Sequence, residues 1–252
     1  MVQYPIQASD SLIVRGDAFI MESRPQPDRD SLVERLQRVP VFQRLDIDVL
    51  DRLVRMAIWR EYGAGAIVFL EGDVALGFYY VHTGWLKEVK SSPEGREQIL
   101  QLLGPGEIFN FMGIFVDRPN PATVIALEPA GVWLLQRAAF HDALVGNPTL
   151  ALRVAEALAD QVIHLVQLVS DLSLRSVEAR LAQRLLDQAE ADVVVRQHWA
   201  TQAEMAARLG TVPDVLGRAL RKLEEENLIQ VERHQIRLLD RDGLTAKARL
   251  EA

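Results

Sequence analysis

Cysteine is absent from the 252 residues. Its absence excludes disulfides, cysteine-ligated iron–sulfur clusters, thiolate zinc sites and thiol redox switches. Long apolar runs are missing as well. No uninterrupted stretch approaches the ~18 residues that span a bilayer, so no membrane partner is expected. Met1 to Asp10 lack a basic start followed by an apolar stretch, the mark of a secretory signal, and a cytoplasmic location is the expectation. Positive charge is in deficit: 28 Lys and Arg stand against 35 Asp and Glu, a net charge of -7. That is the wrong sign for a chain that neutralises phosphates over its whole surface. Catalytic constellations are lacking too. No nucleophile–base pair or metal-ligand cluster stands out, and Gly104-Pro105-Gly106 is a turn without the lysine of a phosphate-binding loop, so no enzyme is expected.

What is present is most informative near the C-terminus. In Thr201 to Glu224, Met205, Ala206 and Leu209 give one short segment an apolar face. Val215, Leu216, Ala219, Leu220 and Leu223 give a second segment its own, at the three- and four-residue spacing of amphipathic helices. Joined at Gly210, the two read as a helix-turn-helix, whose second helix enters the DNA major groove. An ordinary helical hairpin stays open on these residues alone. The polar face of the second helix carries Asp214, Arg218, Arg221 and Lys222, while Glu224 to Glu226 lie together at its far end. If those acids point away, the leading face is locally positive although the chain is not. Thr201 with Glu204 has the spacing of a capping box, and Thr201 and Gln202 are also placed to contact phosphate.

Apolar residues at 49% and charged residues at 25% are the balance of a globular chain long enough for two domains and a connecting helix. Residues 1–31 form a polar, proline-bearing N-terminal extension expected to be poorly ordered, with Met21 an alternative start. Ser31 to Arg38 and Asp46 to Met56 read as short helices. From Trp59 to Leu135 the text changes to short β runs punctuated by glycine, the mark of a small all-β domain, here placed at 32–147. From Pro148 no Gly or Pro recurs until Gly210, and Ala151, Ala155, Leu158, Val162, Leu165, Val169 and Leu172 repeat at spacings of four and three. A strict seam of this kind buries against a second copy, so 148–172 is read as a dimerisation helix. Asp171 to Ser176 reads as a hinge, with Ser176 capping a helix from Val177 to Ala189. Leu228 to Glu232 and Gln235 to Leu239 alternate about Arg233-His234 as a two-stranded wing. The DNA-binding domain is thus 173–244, with a C-terminal tail at 245–252.

Phe69-Leu70-Glu71-Gly72-Asp73, Gly84-Trp85-Leu86-Lys87, Gly95-Arg96-Glu97, Leu103-Gly104-Pro105-Gly106-Glu107-Ile108-Phe109, Asp171 to Leu181 and the helix-turn-helix together resemble the Crp/Fnr superfamily of bacterial transcription regulators, over about Leu32 to Leu244. The resemblance implies an α+β fold: an N-terminal antiparallel β-roll of the cyclic-nucleotide-binding, cupin or jelly-roll-like kind, a long dimerisation helix and a winged helix-turn-helix. It implies a homodimer on a palindromic operator of double-stranded DNA, with half-sites about one helical turn apart, and RNA polymerase as a partner. The DNA-facing set is then Thr201, Gln202, Pro213, Asp214, Gly217, Arg218, Arg221 and Lys222.

The departures individualise this chain. Members that bind cyclic AMP hold its phosphate and ribose with a Gly-Glu pair and, about ten residues on, an Arg-Ser pair. Here those positions are Asn110-Phe111 and Asn120-Pro121, and Leu165 and Val166 replace the polar residues that meet adenine. Without the arginine the cyclic phosphate loses its charge-assisted partner. The expected pocket, Asn110, Phe111, Met112, Asn120, Pro121, Leu165 and Val166, therefore takes an effector other than cyclic AMP or cyclic GMP. Haem, used by gas sensors of the family, would need a ligand from His82, His141, His164 or Met112, and each reads as an ordinary structural residue instead. Crp-like members start the recognition helix with Arg and Glu and place a second Arg four residues later; here these are Pro213, Asp214 and Arg218. Pro213 suits a first helical turn but cannot donate to guanine. Arg218 keeps the bidentate guanine contact, and Asp214 can accept from cytosine with a shorter reach. Two other readings stay open: a DNA-binding regulator that needs no effector, and a nucleotide-type module serving as a protein-interaction adaptor.

Overall fold

The computed structural model describes residues 27–43, 45–115 and 118–249; most of the expected N-terminal extension lies outside the described residues. Two short helices lead the fold. Helix α1 (Arg29–Leu36) starts two residues before the expected point because Asp28 caps it, and α2 (Ile47–Arg55) is capped by Asp46. Leu32, Leu36, Leu50 and Leu53 close a helical core with the 3-10 turn Pro40–Phe42.

The β domain contains β1 (Ile58–Tyr62), β2 (Ile67–Phe69), β3 (Gly77–Thr83), β4 (Leu86–Ser91), β5 (Glu97–Leu103), β6 (Ile108–Phe109), β7 (Thr123–Ala126) and β8 (Ala130–Gln136). They form two antiparallel four-stranded sheets, ordered β1-β8-β3-β6 and β2-β7-β4-β5, the β-roll anticipated above. Strands β3 and β8 are buried over six consecutive residues each because their sheet is covered on both faces. Tyr79, Val81, Val132 and Leu134 point into the roll with Leu86, Leu103 and Val124. Phe78, Tyr80, Trp133 and Leu135 point the other way, into the helical core. There Phe140 of α3 (Arg137–Val145) meets Phe78 edge-on with centroids 5.0 Å apart.

Helix α4 (Pro148–Leu174) has Pro148 in its first turn and Asn147 as its cap. Its 27 residues span about 40 Å at ~1.5 Å each. The structure divides the expected seam. Leu158, Leu165 and Leu172 are half-buried, with Leu158 against the helical core, whereas Ala151, Ala155, Val162 and Val169 are exposed. The uncovered stripe runs one step round the helix, through Leu152, Ala155, Val162, Val166 and Val169. A heptad pattern fixes periodicity, but tertiary packing decides which edge of the apolar arc remains free.

The break after α4 is shorter than the hinge read from Asp171 to Ser176. The helix runs to Leu174, and the Arg180 guanidinium donates to the carbonyls of Asp171, Leu172 and Arg175 at 3.2, 3.4 and 2.9 Å, which caps the helix end. Ser176 then starts α5 (Val177–Gln188) by accepting from the Ala179 amide. The last domain continues with β9 (Val193–Val195), α6 (Gln202–Arg208), α7 (Pro213–Glu225), β10 (Ile229–Val231), β11 (Gln235–Leu238) and α8 (Arg241–Ala248). The wing is a three-stranded sheet, β10-β11-β9, because β9 joins the expected hairpin. The expected tail from 245 is also corrected: α8, capped by Asp240, runs through that boundary and buries Leu244 and Ala248 in the domain core.

Candidate nucleic-acid interface and effector domain

The helix-turn-helix is built as its sequence pattern requires. The Thr201 hydroxyl accepts from the Glu204 amide at 3.2 Å and starts α6. Ala206, Leu209, Leu216, Ala219, Leu220 and Leu223 bury against Leu181 and Leu185 of α5. Gly210 joins α6 to α7 at φ +64, and a Cβ there would collide with a Leu172 methyl and stand 2.6 Å from Gln98 Oε1. The left-handed backbone favours glycine here, while the two contacts are with the ends of flexible side chains. Pro213 occupies the first turn of α7, where its missing N–H costs nothing.

With the apolar face closed, the polar face of α7 is left open. Pro213, Asp214, Arg218 and Arg221 are exposed, and Thr201 and Gln202 are exposed at the start of α6. Gly217 sits among the α7 residues with open space on its side-chain face, so a Cβ there would meet nothing within 4 Å. Lys222, also exposed and one turn beyond Arg218, differs from this set in being paired with Glu178 of α5 at 2.7 Å. Glu224 accepts from the Val231 amide at 2.8 Å and Glu226 pairs with Lys247 at 2.8 Å. Those two acids are thus held at the wing and α8, which leaves Arg218 and Arg221 on the leading face against Asp214.

In the β domain, the expected effector residues are only partly brought together. Asn110, in a left-handed conformation, donates through Nδ2 to Gly77 O at 3.2 Å and to Asn120 Oδ1 at 3.0 Å. Asn120 is 3% exposed. Phe111 turns away into the helical core, with its ring centroid 5.3 Å from those of Phe78 and Phe140. Met112 and Pro121 are exposed, and the Pro121 carbonyl accepts from Lys90. On α4, Leu165 is half-buried and Val166 is 59% exposed. The four candidate haem ligands lie on separate elements: His82 on β3, Met112 on the 3-10 turn Phe111–Ile114, His141 on α3 and His164 on α4. No group of three or more potential metal ligands occurs among the described residues. His82 is buried edge-on against Trp59, with centroids 5.5 Å apart, and burial together with the Arg35 charge lowers its pKa.

The two domains touch through contacts that the sequence pattern did not reveal. Lys87 on β4 is buried and bonds Glu97 of β5 at 2.7 Å and Glu204 of α6 at 3.0 Å. Burial alone would lower its pKa, but the hydrogen bonds and charges of the two carboxylates outweigh it and raise the value. Trp85 packs on Trp199 at 5.7 Å. Arg184 and Arg208, ordinary-looking basic residues on α5 and α6, are half-buried at the same junction. Nothing in a linear pattern marks them, because part of their cover comes from Trp85, Leu102 and neighbouring strand residues distant in the chain.

Family models match the chain in two places: a cyclic nucleotide-binding domain over residues 59–147 and a Crp-like helix-turn-helix domain over 179–247. The chain is 24% identical over 222 residues to a CRP-like cAMP-activated global transcriptional regulator of Mycobacterium tuberculosis, covering 86% of this chain and 99% of that one. It is 29% identical over 207 residues to the HTH-type transcriptional regulator Cmr of the same organism, covering 82% of each. Among solved structures, FixK2 from Bradyrhizobium japonicum shares the fold with a TM-score of 0.67 at 22% identity, over 78% of this chain and 99% of that one. No helix among the described residues is long and apolar enough to cross a membrane.

Proposed function

This chain belongs to the Crp/Fnr superfamily of DNA-binding transcription regulators, and from that membership we propose that it acts as a homodimer on a palindromic operator, controlled by an effector at the β-roll other than cyclic AMP. The observation that carries this reading is the polar face of α7. Arg218 is exposed on a helix whose opposite face is closed in the domain core, the arrangement that presents a guanidinium to guanine in a major groove. Arg221 adds phosphate attraction, and Thr201 and Gln202 set the approach to the backbone.

The pairing of half-sites rests on α4. Leu152, Val162, Ile163, Val166 and Val169 are all more than half exposed, an apolar line that one chain leaves uncovered and a parallel second copy would bury. The effector reading rests on the amide pair. Asn120 stands where cyclic-AMP binders of the family carry arginine and commits its carbonyl oxygen to Asn110, so a cyclic phosphate would meet a neutral partner. Contact with RNA polymerase and residence in the cytoplasm accompany this reading.

Fluorescence anisotropy on a genomic binding site tests it. Arg218→Ala is expected to weaken the specific complex by roughly 1–3 kcal/mol while leaving non-specific binding nearly intact. Unchanged sequence preference would remove Arg218 from its role. Val166→Glu is expected to convert the dimer to monomer in sedimentation equilibrium, and a variant that stays dimeric would remove the stripe from the interface.

A further inference from the structure

Besides the arginines that face solvent on α7, the fold holds two at the junction of its domains. A cavity of about 510 Å³ opens there, within the ~300–1,000 Å³ range of small-molecule sites. Trp85 and Leu102 of the β-roll line one side; Arg184, Leu185, Trp199 and Arg208 of the DNA-binding domain line the other. A second cavity of about 280 Å³, toward α4, shares Leu102, Arg184 and Arg208, so the two guanidiniums form the wall between both spaces.

Neither guanidinium has a hydrogen bond or ion pair among the described residues. Asp187 and Asp171 act on Arg184 only through their charge, which partly offsets its burial; their oxygens bond Gln183 at 2.7 Å and Arg175 at 3.2 Å. Burial and the Arg184 charge together pull the pKa of Arg208 down to about 10. Trp199 Nε1 is also buried without an acceptor. The third arginine of the lining, Arg196, donates to the Ala200 carbonyl, and the acids Asp187 and Glu190 stand at the rim. The acids of the lining, with Glu107 in the smaller cavity, leave the Arg184 and Arg208 guanidiniums and the Trp199 N–H without a hydrogen-bond acceptor, and Arg208 meets burial and a like charge that an anion would relieve. Two indoles offer flat apolar surface beside it.

We propose that this cavity binds a small planar organic anion, its charged group held between Arg184 and Arg208 and its ring against Trp85 and Trp199. The site is separate from the Asn110–Asn120 pair in the roll. Because its walls come from both domains, an occupant ties α5 and α6 to the β-roll and biases the orientation of the recognition helix.

Equilibrium dialysis of the intact protein tests the site without DNA, so its outcome is independent of any operator. The probes are adenosine 5′-monophosphate and 2-naphthoate, each set against its neutral counterpart, adenosine and 2-naphthylmethanol. The anions are expected to bind at least about tenfold tighter than the neutral compounds, a difference of ~1.4 kcal/mol. Arg208→Gln and Arg184→Gln are each expected to weaken them by a similar factor, and Arg55→Gln to leave them unchanged. Ligand-free Arg208→Gln should melt at or above the wild-type temperature, since it removes an uncompensated charge, and this separates loss of the site from loss of the fold. Equal binding of neutral and anionic probes, undiminished binding in both arginine variants, or no binding of either anion would overturn the proposal.

Discussion

Arg218 on α7 and Arg208 on α6 belong to one domain and both lack an acidic partner among the described residues, yet they stand in opposite surroundings. Arg218 is exposed, so water solvates it and its charge costs nothing until DNA arrives. Arg208 is half-buried beside Arg184, and both burial and like charge work against it. On the two proposals above, the same side chain serves two kinds of recognition. On the open face, affinity comes from release of counterions and from base edges, and it falls with salt. At the junction, the enclosed setting protects an ionic contact from screening and favours a small ligand. Lys222 shows a third outcome, exposed like Arg218 but paired with Glu178 of α5.

The comparison can be broken at its foundation by Leu216→Ala. Leu216 is fully buried beneath the open face of α7, and truncation is expected to cost roughly 2–5 kcal/mol. Denaturant unfolding should show that loss in the C-terminal domain together with loss of DNA binding, whereas a near-neutral result would contradict the packing described. A smaller effect is expected at His82, which is buried without a partner for Nδ1. Its folded pKa lies below the ordinary value of 6.5, so the unfolded chain takes up the proton first. The stability it supports is complete above about pH 6.5 and declines as pH falls below that value. Thermal melts between about pH 8 and about pH 5 should lose part of this slope in His82→Phe; an identical slope would place the acid sensitivity elsewhere. The smallest effect is expected for Lys222→Ala, at most about 1 kcal/mol because the pair with Glu178 is solvent-exposed. A loss of DNA affinity as large as that of Arg218→Ala would show that the pair with Glu178 does not keep Lys222 from DNA.

Local signals carried much of the architecture. The three- and four-residue spacing around Gly210, the caps at Thr201 and Ser176 and the glycine-punctuated β runs all depend on neighbours in the chain, and the corresponding elements formed where they were expected. Features decided by distant segments were less legible. Strand β9 is secured by pairing with β11, and α8 by burying Leu244, and neither contact leaves a strong local pattern. The seam on α4 had the right period, but the helical core claims Leu158 and so moves the free edge to Val166 and its neighbours. Among the candidate effector residues, Asn110 and Asn120 meet, whereas Phe111 follows the packing of Phe78 and Phe140 into the other side of the sheet. Arg184 and Arg208 were unreadable for the same reason, because their surroundings are completed only by Trp85 and Leu102 of the other domain.

The most direct test is equilibrium binding of wild-type protein and Arg218→Ala to duplexes in which each guanine of a genomic site is replaced in turn. If α7 reads DNA through Arg218, the wild type will lose affinity at one guanine in each half-site, and the variant will be indifferent to that same replacement while retaining its other preferences. Identical profiles for the two proteins would contradict the assignment of the recognition surface.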